Sequence, residues 1–361
     1  MANRIYLRPT GFVDAPFGYD GQVLRLAGGL CFFTRFELIE VCDGERVRQT
    51  LVSVEALDSH ISSLPSEMAE QAKRVLGYLT CPRAPLKLAS RTIPLDQPQV
   101  MAILNLTPDS FSEHGAPADP AGHGMDMLRA GAALIDVGGE STRPGAKPVW
   151  EGDEIERVLP AIQMLAVGGA AMSIDTRKAG VMEAALDAGA GLVNDVSALT
   201  WDDRALEVVA KHGCPIVLMH HQGRPETMQQ DPRYDDVLIE VYDWLEARIA
   251  AAVAAGIDRS KILIDPGIGF GKTLRHNLAV LNGLSLFHGL GCAIVLGASR
   301  KRSIGALSQE APADQRLGGS IALAVLGATQ GVQLLRVHDV FETVQALRVW
   351  RGLRDEALSP V

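Results

Sequence analysis

Ala171-Met172-Ser173-Ile174-Asp175-Thr176-Arg177-Lys178, continuing to Gly191-Leu192-Val193-Asn194, is one unit of the pattern that decides the fold. An apolar run, Ala171–Ile174, ends on Asp175. A helical stretch, Lys178–Ala188, follows and stops at Gly189, and a glycine just past a helix is a usual C-terminal cap. A second apolar run, Gly191–Val193, then ends on Asn194. Short continuous apolar runs read as strands buried on both faces, as in a parallel sheet. Working outward, the same pattern recurs. Val100–Leu104 precedes Asn105, Ala132–Ile135 precedes Asp136, and Ile216–Met219 precedes His220. Ile262–Ile264 precedes Asp265, Cys292–Leu296 precedes Gly297-Ala298-Ser299-Arg300-Lys301, and Gln333–Leu335 precedes Arg336 and His338. Eight runs separated by helical stretches predict an α/β fold, a (β/α)8 TIM barrel. Active sites in such barrels lie at the C-terminal ends of the strands. The polar residues that end the runs should therefore meet at one mouth.

The chain has 361 residues, and a barrel of this type takes about 250. The reading divides it into residues 1–97, a small N-terminal α+β extension with a Pro-rich linker, and 98–355, the barrel. A formal net charge of −9 argues against general nucleic-acid binding, although a local basic pocket for an anionic small molecule remains compatible with it. No apolar run approaches the roughly 20 residues of a membrane span. Met1-Ala2-Asn3-Arg4 opens no apolar signal core, and the expectation is a cytoplasmic protein. The five cysteines have no CxxC or zinc spacing and read as small hydrophobes.

In the extension, Phe32–Val41 partly alternates and meets Asp43-Gly44, a hairpin signal, with Arg46–Val54 as the return strand. Ser66–Leu79 has helical apolar spacing. Cys81 to Pro98 carries Pro82, Pro85, Pro94 and Pro98 and reads as a linker. In the barrel, Asp235–Ala255 and Leu317–Thr329 read as further helices, with Gly256 and Gly331 after them.

Asp265-Pro266-Gly267-Ile268-Gly269-Phe270-Gly271-Lys272-Thr273 fails both the Walker and the GxGxxG spacing. What remains is a strand-end carboxylate followed by a glycine-rich turn that lets backbone approach a flat ligand. Asp175, Asn194 and Asp265 supply acceptors and one amide, a set suited to a heterocycle edge rich in N–H donors or to a structural network between strand ends. Asp136 and Asp195 are candidates for a supporting role. Arg300, Lys301, Arg336 and His338 follow strands seven and eight, where barrels often bind phosphate. Two loops, Asn105–Gly115 and Gly138–Gly145, are rich in turn formers and hydroxyls and read as active-site loops. His220-His221 is not a metal motif, because adjacent strand residues point opposite ways.

The ordered motifs NLTPDSF at Asn105–Phe111, GGESTRPG at Gly138–Gly145, IDTR at Ile174–Arg177, NDV at Asn194–Val196, LMHHQG at Leu218–Gly223, DPGIGFGKT at Asp265–Thr273, SRK at Ser299–Lys301 and RVHDV at Arg336–Val340 resemble the dihydropteroate synthase family. The resemblance covers residues 100–345. It implies a pterin-binding TIM barrel, usually a homodimer. Such an enzyme joins 6-hydroxymethyl-7,8-dihydropterin diphosphate to p-aminobenzoate in folate biosynthesis, and sulfonamides block it. Carried over by motif, Thr142, Asp175, Asn194, Met219, Asp265, Lys301, Arg336 and His338 would bind the pterin diphosphate. Phe111, Thr142, Arg143, Pro144, Phe270 and Ser299 would bind p-aminobenzoate. Lys301, Arg336, His338 and Arg143 would serve catalysis, and Asn105 would meet Mg2+. Glu113-His114 stands where the family often has Asp-Gly, Ile268 where some members have Phe, and Arg302 where some have Ser. Two other readings share the pterin set: a pterin-binding methyltransferase domain and a non-catalytic pterin-binding paralogue. The p-aminobenzoate loops and SRK argue against the first, and the intact Asn105, Thr142, Arg143, Lys301, Arg336 and His338 against the second.

Overall fold

The computed structural model describes residues 3–107, 119–141, 148–223 and 227–359. The extension opens with β1 (Asn3–Val13), β2 (Leu24–Arg25), β3 (Phe32–Cys42) and β4 (Glu45–Ser53), followed by α1 (Leu57–Ser62) and α2 (Ser66–Thr80). β3 is the centre of an antiparallel sheet that pairs with β1, β2 and β4. Asp43 and Gly44 both adopt positive φ between β3 and β4, the backbone that a two-residue hairpin turn demands. β1 was not anticipated. Its buried Ile5, Tyr6 and Leu7 are interrupted by Arg4, Arg8, Pro9 and Gly11, so no clean period shows.

The stretch read as a linker contains a second hairpin, β5 (Leu86–Leu88) with β6 (Arg91–Ile93). Its prolines bracket the strands instead of interrupting them. Leu86, Leu88, Ile93 and Leu95 pack with Met101, Leu134, Leu192, Val217, Leu263 and Leu334, the inward side chains near the strand starts. The hairpin thus plugs one end of the barrel with hydrocarbon. A Cβ on Gly191 would lie 3.2 Å from Leu88, so the plug sits close to the barrel backbone.

The barrel follows as β7 (Gln99–Asn105), α3 (Pro120–Arg129), β8 (Leu134–Gly138), α4 (Glu151–Val167), β9 (Met172–Asp175), α5 (Ala179–Asp187), β10 (Leu192–Asp195), α6 (Ala205–His212), β11 (Ile216–Met219), α7 (Val237–Ala254), β12 (Ile262–Asp265), α8 (Leu274–Asn282), β13 (Ala293–Leu296), α9 (Arg302–Leu307), α10 (Leu317–Thr329), β14 (Leu334–Val337) and α11 (Val340–Leu358). All eight strands are parallel, and β14 closes on β7. All five cysteines are free thiols. Among the described residues, no helix is long and apolar enough to cross a membrane.

Between β12 and β13 the outer layer is thin, because α8 is followed only by a 3-10 segment, Leu284–Leu290, with buried Leu284, Leu286, Phe287 and Leu290. β1 and α2 cover that segment. Tyr6 meets the Tyr242 ring edge-on at 5.2 Å, and its hydroxyl donates to Asp243 at 2.7 Å. Arg4 pairs with Asp243 and Glu246, and Arg46 with Asp236 at the start of α7. The extension therefore shares one apolar core with the barrel. Tyr6→Ala should cost about 3–5 kcal/mol, the usual penalty for truncating a buried aromatic. Urea unfolding followed by circular dichroism should show one shifted transition; an unchanged barrel transition preceded by a separate early one would contradict the shared core.

Candidate active site

Arg336 sits near the end of β14, and its guanidinium crosses the barrel lumen. Nε donates to Asp136 on β8, and Nη2 donates to Asp175 on β9, each at 2.6 Å. Asp136 is 0 % exposed. It also accepts from Ser173 Oγ at 2.6 Å and from Asn194 Nδ2 at 3.1 Å. Strand register explains the cluster: Asp136 pairs across with Ser173, and Asp175 with Asn194. Asp136, assigned a supporting role from sequence, is the hub. One donor of Asn194 is already taken by it, so the Asn194 amide has less left for a ligand than its residue type promised.

Asp175 Oδ2 is held by Arg336, while Oδ1 is buried with no hydrogen-bond partner. Buried carboxylate oxygens are normally satisfied, so this acceptor points to a missing donor. Burial pushes the Asp175 carboxyl up to about 7; Arg336 opposes the shift, and Asp136 adds to it. Burial would lower Arg336, but Asp136 and Asp175 hold it above its ordinary value. Asp195 is turned into its own loop, accepting from Ser197 N, Ser197 Oγ and Leu199 N, and burial raises it.

Asp265 ends β12, and its Oδ1 accepts from Gly267 N at 2.7 Å. Burial raises its carboxyl, against the Gly267 bond and the charges of Lys301, Arg336 and Lys272. A Cβ on Gly297 would stand 3.4 Å from Asp265 Oδ2 and 4.0 Å from Arg336 Cδ; glycine keeps that corner of the mouth open. Phe270 lies under Lys301, whose Nζ is 4.2 Å from the ring centroid, within cation–π range. Met219 ends β11 beside Asp265 and is buried. Ser299 Oγ lies 3.1 Å from His338 Nδ1 and accepts the His338 backbone N–H at 3.2 Å, so two residues expected on different substrates are linked. Arg300 turns away from the mouth to pair with Asp339. Its φ of +56° is tolerated because its N–H donates to Ser320 Oγ and its carbonyl accepts from Arg316. Asn105 Oδ1 and Asp175 Oδ2 both lie near the bare Cα of Gly138, at 3.5 Å and 3.7 Å from a Cβ placed there.

The structure corrects the reading of the histidine pair. β11 stops at Met219, so His220 and His221 lie beyond the strand, and both rings meet Trp244 edge-on. His220 Nδ1 is 2.8 Å from Lys272 Nζ, and burial, then the Lys272 charge, holds its imidazole well below its ordinary range. Glu140 was overlooked. It is buried, accepts from Val149 N at 2.8 Å and pairs with Arg177 and Lys178. Its only sequence signal was an acid inside GGESTRPG. Phe111, Thr142, Arg143 and Pro144, with Glu113 and His114, lie outside the described residues. Among the described residues no group of three or more His, Cys, Asp or Glu side chains could hold a metal ion.

A closed parallel barrel whose mouth gathers buried carboxylates, a lumen-spanning arginine and a lysine has the architecture of a TIM barrel with a charged, polar mouth. The family model for pterin binding enzymes matches residues 101–338. Dihydropteroate synthase of Escherichia coli strain K12 is 46% identical over 262 residues, spanning 72% of this chain and 92% of the relative. The Bacillus subtilis dihydropteroate synthase is 44% identical over 245 residues, 67% of this chain and 83% of the relative. The crystal structure of Yersinia pestis dihydropteroate synthase with a sulfonamide drug complex superposes with TM-score 0.72 at 45% identity, covering 75% of this chain and 99% of that one. The Xanthomonas albilineans enzyme with 4-aminobenzoic acid gives 0.71 at 46% identity, covering 75% and 98%. The chain belongs to the pterin-binding enzymes and, within them, to the dihydropteroate synthases, which are transferases.

Proposed function

We propose that the barrel mouth divides the dihydropteroate synthase reaction between an acidic reading edge and a cationic rim. The observation that carries this is the Asp175 pair of oxygens, one held by Arg336 and the other buried and unpartnered. A pterin presents N–H donors along one edge; Asp175, Asn194 and Asp265 would accept them. Met219 and Phe270 would bound the ring, with Lys301 against it. Arg336 uses Nε and Nη2 on the carboxylates, and Nη1 is left for a diphosphate oxygen. His338, fixed by Ser299, would donate to the same group. Phe111, Thr142, Arg143 and Pro144 belong to the proposed p-aminobenzoate pocket by motif alone.

In the reaction the methylene C–O bond breaks, and its electron pair leaves with the diphosphate. The p-aminobenzoate amine forms the new C–N bond and gives up one proton. Bond breaking leads, because the methylene carbon is conjugated with the electron-rich dihydropterin ring. Arg336, His338 and Lys301 stabilise the charge gathering on the leaving group, an effect largest where water is excluded. No covalent nucleophile is required.

The proposal includes Mg2+. Asn105 would hold it: its Oδ1 at the mouth, 3.5 Å from a Cβ placed on Gly138, offers one neutral oxygen, and Mg2+ commonly keeps waters and phosphate oxygens with only one or two protein ligands. Bound there, the ion would neutralise charge on the diphosphate. The reading also keeps the family's homodimer and a cytoplasmic setting. Supporting the dimer, Leu317, Val349 and Leu353 are exposed apolar side chains along one groove between α10 and α11, which sedimentation of the purified chain can test.

Diphosphate release should depend on both substrates. Asp265→Ala should lower kcat/KM for the pterin diphosphate about 10- to 100-fold, the worth of a hydrogen bond to a charged group. Lys301→Ala should lower it about 100-fold or more. Release independent of p-aminobenzoate, or near-normal variants, would overturn the reading. Asp175 accepts ring donors most strongly as a carboxylate, and its folded pKa is raised to about 7. Binding should therefore weaken as pH falls through that value, and the raised Asp265 carboxyl adds the same sign. Calorimetry with 6-hydroxymethyl-7,8-dihydropterin should give a Kd about tenfold weaker at pH 6 than at pH 8. A flat profile would contradict the assignment.

A further inference from the structure

Lys272 lies in the motif that fails the Walker spacing, and none of the proposed substrate contacts uses it. It is 2 % exposed, which is rare for a lysine without a carboxylate partner. Its Nζ lies 2.8 Å from His220 Nδ1, 2.9 Å from the Gly267 carbonyl and 3.3 Å from the Phe270 carbonyl. Burial lowers the Lys272 amine to about 7, with Asp265 opposing and Lys301 adding to the shift; its charged form has three protons, and these are three acceptors. The His220 imidazole, held neutral by burial and by Lys272 itself, accepts through Nδ1.

The two carbonyls mark the start and end of the glycine-rich turn. Gly267 sends its N–H to Asp265 Oδ1, and Phe270 carries the ring under Lys301. The turn is pressed against the chain leaving β11. A Cβ on Gly267 would fall 1.8 Å from the His220 carbonyl oxygen, and one on Gly271 would fall 2.3 Å from that of Gln222. Both glycines have positive φ. The backbones can approach this closely only without side chains, and Lys272 ties them from inside.

We propose that Lys272 is a positioning residue that sets Asp265 and Phe270 for the substrate by stapling the glycine-rich turn to His220. The inference rests on the pterin reading given above. A purely structural lysine would affect stability and leave substrate affinity alone; a positioning lysine acts on affinity in the folded enzyme. The test is Lys272→Met, which keeps most of the stem and removes the three donors. Binding of 6-hydroxymethyl-7,8-dihydropterin is measured by calorimetry at pH 7, beside the melting temperature and steady-state kinetics. The expected result is a folded variant with pterin Kd and KM raised at least tenfold. His220→Leu, which removes one acceptor, should shift both in the same direction by at least threefold, and it decides the matter if Lys272→Met does not fold. Pterin Kd within twofold of wild type in the folded variant, with only the melting temperature lowered, would overturn the proposal. Wild type that binds no pterin would overturn the functional reading and this inference with it. Wild type that binds normally while the variants also bind normally would overturn the inference alone.

Discussion

The arginine that spans the barrel is the interaction on which the mouth depends. Arg336 leaves β14 and reaches carboxylates on β8 and β9, so three strands that are not all neighbours are tied through the lumen. Taking three charged groups out of water carries a large desolvation cost, and a buried ion pair is often no more stabilising than packed hydrocarbon. What the pairing leaves over is one buried acceptor. Asp136 is saturated by Arg336, Ser173 and Asn194. Asp175 is half saturated. The network is complete except at one oxygen, which the proposed function gives to a ring N–H.

The rest of the fold maintains the contrast between the two ends of the barrel. The β5–β6 hairpin fills the bottom with leucine and isoleucine, while Arg336, Asp175 and Asp265 lie at the other end of the strands. Electrostatic interactions gain strength in such a low-dielectric setting, which suits a reaction whose leaving group gathers negative charge. Around the mouth the loops are braced by bonds outside the proposed substrate contacts: Lys272 inside the glycine-rich turn, Arg300 against Asp339, Glu140 on Val149 and Arg177. The extension contributes from outside by covering the thin segment Leu284–Leu290.

Much of this was legible in the sequence because a parallel barrel writes itself as repeated apolar runs with polar ends. All eight runs are strands, and Leu317–Thr329 is a helix with the expected bounds. The Asp43-Gly44 turn and its return strand were also readable, since the turn demands particular residues. What was not legible depended on contacts between distant segments. β1 mixes Arg4, Arg8 and Pro9 with its core residues because both of its faces meet other elements. The β5–β6 hairpin hid among prolines because its strands are three residues each. Asp136 looked like one strand-end acid among several, and only the reach of Arg336 across the lumen makes it a hub. Lys272 looked like the end of a failed nucleotide motif; its role follows from His220, fifty-two residues away.

On the proposed function, Asp136, out of reach of solvent, would act on pterin recognition chiefly through Arg336. A double-mutant cycle on the Kd for 6-hydroxymethyl-7,8-dihydropterin, using Asp136→Asn, Arg336→Met and the pair, measures this most directly. The expected coupling energy is about 1–3 kcal/mol, with Asp136→Asn adding little once Arg336 is gone. Effects that add to within about 0.5 kcal/mol would contradict it.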